Sequence, residues 1–379
     1  MTDGRGGRAA AIALVGLLVL GSLTAPRFTR GMRDFEVYHL AAQRAAAGEP
    51  LYRTDDEHYQ FKYLPAFAVL ARPLGAIPLH QAKLAWFLAS LVLLHLLVLL
   101  SLQLLPERRL PGWLLAVIVV VAMSKFFGHE LVLGQANLLL GTMIAAATLC
   151  LHRGRDAAAG ALLAAAVIVK PYAGLFIPWI AAQRRWRAVL AAGAGAALAM
   201  ALPLPVYGPG GMLDLHAAWW ETVTTSTAPN LLNQDNVSLA AMFAKWLGPG
   251  PLAGGLAALG GLVLLALAGA VFARRRRVNT PESLEAALLL TLLPLLSPQG
   301  WDYVFLLSTP AIVMLANYHD VMPAWLRLLS AAAVATIGLS LFDLLGRERY
   351  AAFMALSVIT VCYLIIVAVL AWIRFRRIA

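Results

Sequence analysis

Apolar blocks of about bilayer-spanning length recur along the chain, and this repetition leaves few folds open to it. The clearest are Leu84 to Leu105, Gly112 to Phe127, Ala157 to Val169, Leu252 to Ala273 and Ala351 to Trp372. Roughly 20 such residues cross hydrocarbon as an α-helix, which satisfies its own backbone hydrogen bonds where no water can. Of the 379 residues, 61% are hydrophobic and only 13% charged, too few charges to cover a soluble domain of this size. The sequence therefore predicts an all-α, polytopic integral membrane protein, with residues 1–379 forming one membrane-embedded domain.

The formal net charge is +11, but the basic residues stand in short runs between apolar blocks. That placement marks topology and not a nucleic-acid surface. Cys150 and Cys362 both lie inside apolar blocks, which leaves no disulfide framework and no metal site of the CxxC kind. The first block, Ala9 to Ala25, follows Arg5 and Arg8 as a signal peptide would. Pro26 occupies the place of cleavage, so an uncleaved first helix is expected.

Cationic connectors resist translocation, so Arg-rich stretches are expected on the cytoplasmic side. Met1 to Arg8, His152 to Asp156, Gln183 to Arg187, Arg274 to Glu282, His319 to Arg327 and Arg374 to Ala379 hold fifteen Lys and Arg against four acids. Pro26 to Lys62, Tyr207 to Asn236 and Asp343 to Arg349 hold eight against eleven and are assigned outside. The helices between these anchors number about 11 to 13, several too short to cross alone. Gly134 and the start at Leu64 are both outer, yet segments begin at Leu64, Leu84 and Gly112. One of the three must be re-entrant or surface-lying. No internal repeat is evident, so an inverted-repeat transporter gains no support.

The densest run of ionisable residues is the first outer loop: Arg33, Asp34, Glu36, Tyr38 and His39, then Glu49 and Tyr52, Asp55 to His58, and Phe61-Lys62-Tyr63-Leu64-Pro65. Asp34 follows the first apolar block by only a few residues and so sits at the membrane surface. In a helix it shares a face with Val37 or Tyr38 and with Ala41. A carboxylate there can take a proton from a hydroxyl attacking a sugar carbon. Polar groups at membrane depth are costly and usually serve a site, and four interruptions carry them: Gly134-Gln135-Ala136-Asn137, Lys170-Pro171-Tyr172, Asn233-Gln234-Asp235-Asn236 and Ser297 to Tyr303. Each also has an ordinary structural use: Gln135 and Asn137 as helix-start hydrogen bonders, Lys170 as a snorkelling cation, Asn236 as an N-cap, and the last as an interhelical turn. Together on one side with Asp34, they favour a site in which Lys170 holds a phosphate and Pro171 frees neighbouring backbone groups. There is no Walker sequence, no GxGxxG after a strand and no HExxH. A lipid-linked donor is favoured over a nucleotide sugar.

In order, Asp34-Phe35-Glu36-Val37-Tyr38, Gly48, Leu51-Tyr52, Phe61 to Pro65, Pro73-Leu74, Ile77-Pro78, Gly134 to Asn137, Lys170-Pro171 before Arg184 to Arg187, Asn233-Gln234 with Ser238-Leu239, and Ser297-Pro298 with Trp301 resemble one family. It is the polyprenol-phosphate-mannose-dependent α-1,2-mannosyltransferases, glycosyltransferase family eighty-seven, built on the GT-C membrane fold. The resemblance implies an inverting transfer of a hexose, mannose by analogy, from a polyprenyl-phosphate sugar to a lipid or glycan acceptor. It implies no nucleotide, metal or other cofactor, and membrane lipids instead of nucleic acid as surroundings. The implied setting is a bacterial cytoplasmic (inner) membrane with the site on the non-cytoplasmic side. Carried over by position, Asp34 is the base, and Lys170, Tyr38, Lys62, Tyr63, Gln135, Asn137, Asn233, Gln234, Trp301, Asp302 and Tyr303 contact substrate. Two positions depart from the family pattern: Leu64 replaces a frequent Pro, and Tyr303 stands where a His shortly follows the Trp. A transporter or flippase is the alternative class; it would place ionisable residues near the bilayer midplane instead of in an outer loop beside the first helix.

Overall fold

The protein is described by a computed structural model covering residues 4–379. Met1 to Asp3, and with them the start of the first cationic stretch, fall outside the described residues, as do the side chains through Ala9 and those of Glu57 and His58. Helix α1 (Gly4–Thr29) runs through Pro26 and packs on α5 (Leu79–Gln103), where the Phe28 and Phe87 rings stack 5.1 Å apart. Between them the outer loop is itself structured. It holds α2 (Arg33–Ala47) and a 3-10 turn at Thr54–Tyr59, followed by the short α3 (Pro65–Leu70) and α4 (Arg72–Gly75).

That last pair removes the parity conflict. Six and four residues rise only about 9 Å and 6 Å as helix, far short of a bilayer. The segment from Leu64 therefore does not cross. The two candidates that remain before Gly134 are α5, long and apolar enough to cross by itself, and α6 (Gly112–Ala122) with α7 (Ser124–Leu133), long enough only as a bent pair whose axes meet at 63°.

Helices α8 (Asn137–His152), α9 (Asp156–Val169), α10 (Phe176–Ala182) and α11 (Trp186–Ala201) follow as a short-looped group. Small residues let α9 and α11 approach closely, as small-xxx-small faces do in membranes: a Cβ at Gly160 would come within 2.1 Å of the Ala188 carbonyl oxygen. α11 turns through 91° into α12 (Leu204–Thr225). After it come α13 (Leu239–Leu247), capped by Ser238 accepting from Ala241 N at 3.1 Å, and α14 (Pro251–Ala273). The cap is thus Ser238 and not Asn236. α15 (Glu282–Leu296) is buried along nearly its whole length, and beyond its acidic first turn it is almost entirely apolar, as suits a helix enclosed by others. The chain closes with α16 (Thr309–Asn317), α17 (Ala324–Leu339), α18 (Phe342–Ala355) and α19 (Val358–Phe375).

Among the described residues, four helices are long and apolar enough to cross a membrane, or seven if each bent pair is one span. Four shorter apolar helices bring the units to eleven, the lower end of the expected range.

The two charge classes read from the sequence occupy opposite ends of this bundle. At one end, Arg185 meets Asp156 at 3.3 Å and Glu282 at 3.5 Å, and Arg275 meets Glu282 at 3.3 Å and Glu285 at 3.5 Å. The fully buried Arg374 meets Glu285 at 3.4 Å. Trp179 donates to the same carboxylate at 2.9 Å. The turn after Tyr318 joins this end, because Met322, Trp325, Trp372 and Arg376 line one hollow, and Asp320 pairs with Arg109 in the turn before α6. At the other end, Tyr207 donates to the Glu49 carbonyl at 2.9 Å, Trp219 to that of Lys62 at 3.2 Å, and Tyr350 to Asp235 at 3.3 Å.

Removing one partner of a buried ion pair strands the other charge, at a cost of about 3–5 kcal/mol. Glu285→Ala is therefore expected to lower the thermal midpoint of the purified protein markedly. Asp320→Ala breaks an exposed pair and should leave it close to wild type. Equal midpoints for the two variants would show that the Glu285 cluster contributes little.

Candidate active site

The end holding the acid-rich loops encloses a cavity of about 800 Å³. Its floor is organised around one side chain. Gln135 stands in the turn between α7 and α8, where Gly134 takes a left-handed conformation (φ 70°) to end α7. The turn is pressed against α2: a Cβ on Gly134 would come within 2.8 Å of Phe35 Cβ. Any side chain there would be strained and would also push α2 away.

The buried Gln135 amide donates from Nε2 to Asp34 Oδ2 at 2.6 Å and to the Tyr303 hydroxyl at 3.2 Å. Its Oε1 accepts from Tyr38 and Tyr63, each at 3.1 Å, and from Lys170 Nζ at 3.3 Å. Only this orientation suits both neighbours, since a carboxylate accepts and an ammonium donates. The Tyr38 and Tyr63 hydroxyls lie 2.5 Å apart, and burial pushes the Tyr38 phenol far above its ordinary pKa. Lys170 caps the end of α9, where Pro171 starts a 3-10 turn, and its ammonium lies over the Tyr63 and Tyr172 rings at 5.7 and 5.9 Å.

Two other acids of the first loop are held by cations. Glu36 pairs with Lys83 at 2.7 Å and Arg33 at 3.1 Å. Burial works against its charge, but these cations hold its carboxyl below the usual value. Asp56 takes a bidentate contact from Arg44 at 2.5 and 2.7 Å. Asp34 stands half-buried on the cavity wall. Lys62 lines the same wall, and burial pushes its ammonium below its ordinary pKa while Asp34 opposes the shift.

Two distant sequence segments meet as one piece of wall. Asn236 and Trp301 form an antiparallel bridge, Val237 N donates to Gly300 O at 2.7 Å, and Asp302 N donates to Asp235 O at 3.0 Å. The fully buried Asn236 amide clips them by donating to the Pro298 carbonyl at 2.9 Å. Asn233, Trp301 and Tyr303 thereby reach the cavity beside Asp34, Tyr38, Lys62, Tyr63, Gln135 and Lys170.

Three residues expected to contact substrate stand off the wall. Asn137 is fully buried and held by Glu130, which accepts from its backbone N at 2.5 Å and its Nδ2 at 2.8 Å; Tyr172 donates to its Oδ1 at 3.2 Å. Gln234 is exposed outside the lining. Asp302 is fully buried behind it, 2.9 Å from His129 Nδ1 and 3.4 Å from Lys125 Nζ. Conversely, His129, Asp235, Trp219 and Trp220 line the cavity without having been singled out as contacts. The adjacent tryptophans were the available signal, since Trp concentrates at membrane interfaces.

The chamber is basic and partly apolar, with the carboxylates of Asp34 and Asp235 in its lining beside Lys62 and Lys170. The model of glycosyltransferase family 87 matches residues 61–298, more than half of the chain. The chain belongs to glycosyltransferase family 87. No curated protein and no solved structure matches it. As a family 87 glycosyltransferase it is a membrane enzyme, which sets the transporter alternative aside, and the matched span takes in most of the cavity wall from Lys62 to Pro298.

Proposed function

We propose that the protein is an inverting hexosyltransferase that takes its sugar, mannose on the resemblance, from a polyprenyl phosphate. The acceptor is a lipid or glycan on the non-cytoplasmic face. Asp34 removes the proton from the acceptor hydroxyl as its oxygen attacks the anomeric carbon, and the bond to phosphate breaks on the opposite side. Lys170, with Lys62 nearby, offsets the charge gathering on the phosphate. The observation that carries this reading is the Gln135 side chain, which joins a carboxylate and an ammonium across one cavity.

Several features support the lipid-borne donor. Trp219, Trp220 and Val223 of α12 give the cavity an apolar wall, and Trp220 is largely exposed. The side assignment follows from the charge asymmetry, because the cavity lies at the end opposite the Arg-rich connectors. The setting proposed is a bacterial inner membrane.

Purified protein in lipid vesicles should transfer sugar from polyprenyl-phosphate mannose to a lipid or glycan acceptor, with a chelator present and no nucleotide sugar added. Transfer that strictly requires a nucleotide sugar would overturn the donor assignment.

A further inference from the structure

Sugar departure changes the charge on the donor. A polyprenyl-phosphate sugar is a phosphodiester with one negative charge. As the acceptor oxygen bonds to the anomeric carbon, the electron pair of the breaking bond passes to a phosphate oxygen and the acceptor proton passes to Asp34. The departing monoester, whose second pKa is about 6, therefore carries up to one more negative charge than it arrived with. A donor of a charged hydrogen bond that meets this oxygen favours the transition state over the ground state.

His129 has the position and the support for that task. It projects from α7, the helix that leads into the Gln135 turn, and lines the cavity with its side chain about one-third exposed. Its ring stands edge-on to Tyr303 at 5.2 Å, and the Tyr303 hydroxyl is bonded to Gln135. Nδ1 is occupied by Asp302 Oδ1 at 2.9 Å. A carboxylate at that nitrogen fixes the ring, and the imidazolium form of the side chain presents an N–H donor at Nε2 to a ligand. Asp302 is fully buried and also pairs with Lys125, itself anchored by Ser340 at 3.2 Å and Tyr350 at 3.4 Å. The charged groups around the imidazole are thus Asp302, Lys125 and, across the Tyr350 hydroxyl, Asp235. Buried carboxylates held this way orient neighbours. Asp302 itself is not in the cavity lining.

We infer that His129, oriented by Asp302, is a phosphate ligand of this enzyme that complements Lys170. His129 donates through Nε2 to the departing phosphate, and Asp302 is a positioning residue. The inference rests on the lipid-phosphate donor reading above.

Binding separates the two. The probes are a polyprenyl monophosphate and the matching polyprenol without phosphate, titrated against intact protein in nanodiscs by tryptophan fluorescence. Wild type is expected to prefer the phosphate. His129→Ala should weaken phosphate binding about tenfold or more, the scale of a lost hydrogen bond to a charged group, and leave polyprenol binding unchanged. His129→Gln, which keeps an N–H donor, should recover part of the loss, and Asp302→Asn should fall between. Equal loss for both probes would reveal a purely structural role and overturn the inference, as would unchanged phosphate binding in His129→Ala. In either of those cases the donor reading stands. No preference for phosphate in wild type would overturn the donor reading and this inference with it.

Discussion

Asp34→Asn is expected to insert, fold and bind donor normally, yet to transfer sugar at least about a hundredfold more slowly, since lost general-base catalysis typically costs about 10²- to 10⁴-fold. The substitution keeps an oxygen that can accept from Gln135 Nε2, the 2.6 Å contact that orients this side chain. What it removes is the basic oxygen. Asp55→Asn is the matched control, because Asp55 is exposed on the same loop and should stay within a few fold. Asp56 is a poor control: its bidentate contact with Arg44 ties the loop to α2, so its loss would disturb the wall as a whole. Initial rates at saturating donor decide the matter. Near-normal turnover in Asp34→Asn would remove the base assignment.

Lys170→Gln should lower kcat by about 10²- to 10³-fold, comparable to deleting one donor from an oxyanion-stabilising site. Glutamine removes the charge while keeping an N–H donor, on a side chain one bond shorter. The aromatic faces of Tyr63 and Tyr172 and the Gln135 oxygen hold the ammonium at the end of α9, and a neutral amide there should leave the helix break intact. If Lys170 acts on charge that appears only as the sugar leaves, kcat and kcat/KM fall together. A rise in KM with kcat unchanged would instead make it a ground-state binding residue.

Much of the cavity was legible because membrane sequences are quiet where nothing happens. Asp34, Lys62, Gln135, Lys170, Asn233 and Trp301 sit beside apolar blocks in which a polar side chain stands out, and they come together around one chamber. The bundle and its two charged ends were legible for the same reason. His129 was not, because in α7 nothing sets it apart from the neighbouring Lys125 and Glu130, and the residue that gives it meaning is 173 positions away in sequence. Asn137 misled for the opposite reason. It belongs to a conspicuous polar turn, but Glu130 and Tyr172 consume its hydrogen-bonding capacity in holding the start of α8. Counting polar groups at membrane depth locates a site; it does not say which of them face inward and which brace those that do.

The ion cluster that joins Asp156, Arg185, Arg275, Glu282, Glu285 and Arg374 staples four connectors at the end of the bundle remote from the cavity. The ion cluster and the cavity thus lie at opposite ends of the bundle. The loops that frame the cavity join helices fastened at their far ends, so a change in one of these loops leaves that fastening in place. A substitution in residues 207–236 that abolishes activity can therefore be separated from one that unfolds the bundle, because the thermal midpoint reads the ion cluster and the assay reads the cavity.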